Sequence, residues 1–163
     1  MRRIAQKGSK EESVARIEMD VDTKLPPDKV IATLTDFTDR RPDIWKGLSR
    51  EYYEVYSVGE TWAEVREGNV KPIRTWAKER YDWSTPGKVT WTVSESNFCK
   101  PGSFVSADVT PGSDGGSHIH ITWSREPSNM KGRMVVAMLT LTKGGPIPKY
   151  TKKTLDGLAE SNG

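Results

Sequence analysis

The sequence contains one cysteine, Cys99, so no disulfide can form within the chain. That fits a reducing compartment and leaves the fold to be held by its core. No apolar run approaches the roughly 20 residues needed to span a bilayer. No apolar stretch follows the basic N-terminal run MRRIAQKGSKEES, as a secretory signal would require. The expectation is a cytoplasmic, soluble protein without integral membrane association. A one-signed charge excess is also missing: 25 Lys+Arg face 22 Asp+Glu, a net +3, with signs interleaved as in Arg50-Glu51 and Lys78-Glu79-Arg80. Interleaved charge reads as a solvated surface and argues against a nucleic-acid partner. There is no phosphate loop, Gly-x-Gly-x-x-Gly, Gly-x-Ser-x-Gly elbow or Cys-x-x-Cys, and so no signature of a cofactor.

The chain has 163 residues, the size of one domain able to bury a sizeable core without staples. Against a modest 34% hydrophobic content it carries six tryptophans, five tyrosines and three phenylalanines. Large aromatics bury much area per residue, in a core or around an apolar ligand.

Residues 1–12 are polar and aperiodic and are expected to form a disordered tail, leaving 13–160 as the domain. Over 14–22, Ala15, Ile17, Met19 and Val21 alternate with Arg16, Glu18, Asp20 and Asp22, which predicts a half-buried strand. Pro26-Pro27 opens a helix over 27–36 carrying Val30, Ile31 and Leu34, because a first-turn proline lacks only an N–H that would be unpaired there. A short second helix is expected over 41–47. Six strands follow, near 51–58, 61–68, 73–84, 88–97, 103–110 and 117–125, separated by Gly/Pro turn signals such as Thr85-Pro86-Gly87. Helical sequence resumes at 131–141, breaks at Gly144-Gly145-Pro146 and continues over 146–160 with an apolar stripe of Ile147, Tyr150, Leu155 and Leu158.

With Leu25-Pro26-Pro27-Asp28-Lys29-Val30 entering the first helix, Leu34-Thr35-Asp36 followed by Pro42 and Trp45, and Gly115-Gly116-Ser117-His118-Ile119 opening the last strand, this order of strand, two short helices, six strands and C-terminal helix resembles the START-like (SRPBCC) superfamily in its polyketide cyclase/dehydrase and lipid-transport branch. The first of these segments is similar to that family's entry to its first helix, and the second to its following loop. Val58-Gly59 and the hairpin Ser84-Thr85-Pro86-Gly87-Lys88-Val89-Thr90-Trp91 complete the match over most of 14–160. The resemblance implies an α+β helix-grip fold, a curved antiparallel sheet wrapped around a long C-terminal helix. It also implies a cavity between the two for lipids, polyketides or other small hydrophobic molecules. It does not choose between carriers and enzymes.

Strand parity decides which side chains meet such a cavity. Ile119, Ile121 and Trp123 share the apolar face of the last strand, which turns His118 and His120 outward. No Cys or carboxylate cluster adjoins these histidines in sequence, so no metal is expected. Ala77, Glu79, Tyr81 and Trp83 share another inward face. Glu79 there has two readings. It can lie at the mouth, solvated or paired with a lysine, which is the ordinary outcome. Alternatively, desolvation raises its pKa and suits it, with Tyr81, to acid/base work. Trp91 and, as an end cap, Trp45 join the ligand-facing set, as do Met134, Met138 and Tyr150. Cys99, beside Lys100 in a turn, is read as inert. The MVVAMLTL run within 131–142 has no polar face, so it is a lid hinged near Gly144-Gly145, plain core, or a contact with a partner.

Three functions follow as expectations. The first is a monomeric or homodimeric binder of a small hydrophobic ligand. The second is a cofactor-independent cyclase or dehydratase using Glu79 and Tyr81, and the third an interaction module using helix 131–142.

Overall fold

A computed structural model describes residues 15–161, so the expected tail over 1–12 lies outside the described residues. The first strand, β1 (Arg16–Thr23), buries Ile17, Met19, Val21 and Thr23 and exposes every residue between them. Alternation in the sequence therefore becomes alternation in burial. Helices α1 (Pro27–Leu34) and α2 (Arg41–Ile44) follow, the latter ending against Trp45. The chain then meanders through β2 (Glu54–Val58), β3 (Trp62–Asn69), β4 (Thr75–Asp82), β5 (Lys88–Ser96), β6 (Phe104–Pro111) and β7 (Ser117–Ser124). It closes with α3 (Met130–Leu141) and α4 (Ile147–Ser161).

The seven strands form one antiparallel sheet in the order β1-β7-β6-β5-β4-β3-β2. Hairpin neighbours account for five of its pairings. The sixth, β1 with β7, brings the first strand beside the last. Its register sets Ile17, Met19 and Val21 opposite Trp123, Ile121 and Ile119, which makes one apolar face continuous across the join. Between β4 and β5 the register shifts after Lys78, so that Glu79 pairs with Val93. Such a bulge bends the strand and re-aims side chains. Here it leaves Glu79 and Val93 both buried.

The inner face carries the core. Ile17, Met19, Val21, Val105, Ala107, Val109, Ile119, Ile121 and Trp123 meet Val30, Val136 and Leu155 from the helices. Ala63, Val65, Tyr81 and Val89 form a second cluster further along the sheet, and the half-buried Trp91 packs against both. At the far end of β1, Asp156 of α4 accepts hydrogen bonds from Thr23 Oγ1 (2.7 Å) and Lys24 N (3.0 Å), which fixes the helix along the strand.

The helical region is two segments, as the glycines predict. Asn129 caps α3 by accepting from Gly132 N at 2.9 Å. A Cβ at Gly132 would stand 1.9 Å from the Phe98 carbonyl oxygen, so only glycine lets α3 approach this closely. The break after α3 uses positive φ at Lys143, Gly144 and Gly145. A Cβ at Gly144 would lie 2.4 Å from Met19 Sδ. The apolar run is only half covered: Gly132 and Val136 are buried, whereas Met130, Met134, Met138 and Leu141 are exposed.

Candidate functional site on the concave face

Parity places Ala63 and Val65 of β3, Ala77, Glu79 and Tyr81 of β4, and Val89 and Val93 of β5 on the buried face. Within that apolar surface sits a group of polar side chains in two ion pairs. In the first, Arg41 Nε donates to Glu67 Oε1 at 2.7 Å. Its other nitrogens donate to the Leu34 and Asp36 carbonyls (3.0 and 3.1 Å) and to the Tyr81 hydroxyl (3.2 Å). Tyr81 in turn donates to Glu67 Oε2 at 3.1 Å. Arg41 thereby fastens the α1–α2 loop to the sheet, with its guanidinium over the Phe37 ring at 4.6 Å. In the second pair, Arg125 Nη2 donates to Glu79 Oε1 at 2.7 Å. Arg125 also reaches Cys99 Sγ at 3.8 Å and lies near the Phe98 and Trp123 rings.

The electrostatics follow from burial. Glu79 is 3% exposed. Desolvation disfavours its charged form and outweighs Arg125, and with the Glu67 charge also pushing upward the carboxyl rises to about 7. Burial, then the Glu67 charge, holds Tyr81 well above its usual value, so its phenol stays a proton donor. Burial alone would weaken both guanidinium cations. The carboxylates beside them, Glu67 for Arg41 and Glu79 for Arg125, more than offset it. The face thus offers one carboxyl poised to exchange a proton near neutrality, one phenol, and two fixed cations.

The structure places Glu79 in the interior with an arginine partner, not at a solvated mouth with a lysine. Tyr81 stacks on Trp91, with ring centroids 5.2 Å apart and 14° between planes. Trp83 is half-buried and tilts against Phe37 at 5.9 Å. Ile119, Ile121 and Trp123 are buried as parity requires. Trp45 is buried and meets Tyr150 of α4 at 6.3 Å, while the Tyr150 hydroxyl accepts from Gly47 N at 2.8 Å. Met134 and Met138 do not join this group: they are 59% and 46% exposed. Their helix turns only its Gly132–Val136 side inward, because Gly132 seats it against Phe98.

Among the described residues, the Trp45 indole N–H is the one buried side-chain polar atom without a hydrogen-bond partner. Buried donors are ordinarily satisfied, so an orphan one marks a place where an acceptor is wanted. A half-open groove of about 210 Å³ lies elsewhere, lined by Asp22, Thr23, Lys24, Gly112, Ser113, Asp114, Ser117 and Lys152. None of the sequence-predicted ligand residues lines it. Among the described residues no group of three or more His, Cys, Asp or Glu is placed to hold a metal ion.

Sequence reasoning missed Arg41, Glu67 and Arg125. Two had a signal: Glu67 continues the parity of Ala63 and Val65, and Arg125 that of Ile121 and Trp123. Arg41 had none, since a loop arginine carries no periodicity.

No family model matches this sequence, and comparison with curated protein sequences returns no match. Solved structures do match. A START superfamily protein from Mycobacterium smegmatis superposes with a TM-score of 0.70 at 10% identity, over 91% of this chain and 99% of that one. The fold is START-like. The Zhui aromatase/cyclase from Streptomyces sp. R1128 gives 0.71 at 14% identity, over 90% and 94% of the two chains. Norcoclaurine synthase from Thalictrum flavum, in complex with dopamine and hydroxybenzaldehyde, gives 0.65 at 14% identity, over 91% and 87%. In this START-like, helix-grip chain the two buried ion pairs lie on the inner face of the sheet.

Proposed function

We propose that the concave face binds a small, largely apolar molecule bearing at least one polar group, in the cytoplasm. The observation that carries this reading is the confinement of Arg41, Glu67, Glu79, Tyr81 and Arg125 to one part of an otherwise apolar inner surface. Pockets that recognise small molecules have this composition: apolar walls and a few convergent polar groups. Removing the ligand's apolar surface from water would supply affinity at roughly 25 cal/mol per Å². Trp91, Trp123, Ile119, Ile121, Trp45, Trp83 and Tyr150 would provide the wall, with the Trp45 N–H as a donor. The two solved neighbours of enzymatic name, an aromatase/cyclase and norcoclaurine synthase, support small aromatic chemistry on this fold.

The test is native mass spectrometry of freshly purified full chain, joined to titration with the apolar fluorophore 1-anilinonaphthalene-8-sulfonate. Saturable binding that falls at least tenfold in Trp91→Ala supports the reading. Absence of both a co-purified molecule and saturable fluorescence overturns it.

The titration range of Glu79 favours a second reading, a cyclase- or dehydratase-type enzyme. A carboxyl near pH 7 can accept a proton from a carbon acid and return it, and the Tyr81 phenol can donate to the developing oxyanion. Turnover of a polyketide-like ketone that disappears in Glu79→Gln while fluorophore binding persists would distinguish enzyme from carrier.

A further inference from the structure

We propose that the outward face of α3 docks on an anionic membrane surface. Met130, Met134, Met138 and Leu141 are 74%, 59%, 46% and 86% exposed. At 100° per residue these four side chains fall within an arc of about 80°. They form one strip along the helix, opposite buried Gly132 and Val136. Exposed Arg133 flanks the strip on one side, and on the other lies half-buried Lys131, whose ammonium donates to the Arg74 carbonyl at 3.0 Å. Long basic side chains beside an apolar strip keep their charge in the headgroup layer while their stems lie along the hydrocarbon boundary.

The charge of the chain segment that carries the strip selects the occupant, even with Lys152 already held by Asp156 and the Asp22 carbonyl. From 127 to 155 the chain carries Lys131, Arg133, Lys143, Lys149, Lys152 and Lys153 and no acidic residue at all, although the whole sequence holds 22 acids. The acids bounding this stretch are already engaged: Glu126 with Lys100 at 2.8 Å, and Asp156 with Thr23 and Lys152. A second copy of the chain docked on this strip would bring two basic, acid-free stretches together, a like-charge arrangement that disfavours self-association. A surface of phosphate and carboxylate headgroups over hydrocarbon complements both features. Methionine suits such a boundary because its thioether chain adapts to a disordered apolar surface. The inference is independent of whether the concave face holds a ligand.

The experiment pellets the full chain with phosphatidylcholine vesicles, alone or containing phosphatidylserine, at low and high salt. Binding is expected only to the phosphatidylserine vesicles and is expected to weaken with salt. Arg133→Gln should reduce it about fivefold, as expected for one basic residue at an anionic surface. Met134→Glu should abolish it, while Met134→Leu retains it. These side chains are exposed, so unchanged thermal unfolding of the variants verifies the fold. The proposal is overturned by equal binding to both vesicle types, by undiminished binding of Met134→Glu, or by no vesicle binding. It is equally overturned if Met134→Glu instead dissolves a dimer, or a complex with an acidic protein, in the absence of lipid binding.

Discussion

Arg125 and Glu79 face each other across the interior at 2.7 Å, one at the end of β7 and the other at the bulge in β4. Neither has a charged neighbour in sequence that explains its burial. Each makes the other tolerable. Taking a lone charge out of water costs far more than the pair does.

The pair should therefore respond asymmetrically to substitution. Arg125→Met leaves a carboxylate buried without a counter-charge and should destabilise the fold by about 3–5 kcal/mol at pH 8, read by urea unfolding. The joint change Glu79→Leu with Arg125→Met should recover most of that loss. Equal loss in the single and double variants would show that the ion pair is not what couples these positions.

Stability should fall as pH rises from about 4.5 to about 7. The folded-state Glu79 pKa is raised to about 7 from an ordinary 4.5, chiefly by desolvation. The folded protein therefore holds a proton that the unfolded chain has released across that window. The contribution is full below the unfolded value and is lost as pH passes the folded one, by about 3 kcal/mol in all. Urea midpoints measured along pH should lose this slope in Glu79→Gln. A slope unchanged in that variant would assign it to other groups.

On the outer face the sign is the same and the cause opposite. His118 donates toward Asp22 and Asp20, and His120 toward Asp20 and Glu18, across the β1–β7 pairing. Hydrogen bonds to Asp22 and Asp20 respectively raise both imidazoles above 6.5, and Asp20 is lowered, chiefly through His120. Their stabilisation is complete below about pH 6.5 and disappears as pH climbs through the raised values. NMR titration should show both histidines moving down toward their ordinary value in Asp20→Asn. The groups are exposed, so added salt should diminish the shifts.

Tyr81→Phe isolates the hydroxyl from the ring. The stack on Trp91 persists, but Arg41 loses an acceptor and Glu67 a donor, which should cost roughly 1–3 kcal/mol. If Tyr81 also acts as a proton donor, the variant should lose turnover while retaining fluorophore affinity. Retention of both stability and turnover would remove Tyr81 from the site's chemistry.

The order and type of the strands and α-helices were legible in the sequence because period-two alternation and Gly/Pro breaks are local, whereas the short 3-10 turn of Ser113–Gly115 was read only as a break. Ile17, Met19 and Val21 point inward for the same reason that Ile119, Ile121 and Trp123 do, and the outward placement of His118 and His120 follows. Gly144-Gly145-Pro146 foretold the division of the C-terminal helix. Parity also put Glu79 and Tyr81 on the inward face, but it left Glu79 at a solvated mouth as the ordinary outcome. What Glu79 meets there depends on Arg125, 46 positions away, and on a register shift that no local pattern encodes. Arg41 reached the same interior through a loop. Whether the MVVAMLTL run would be covered was likewise a tertiary matter. Its composition is apolar all round, but Gly132 seats one side of it on Phe98 and leaves the methionines in water. Local sequence sets backbone periodicity and so decides which side of an element is apolar. Which groups then desolvate one another is a long-range property, settled only when distant strands pair.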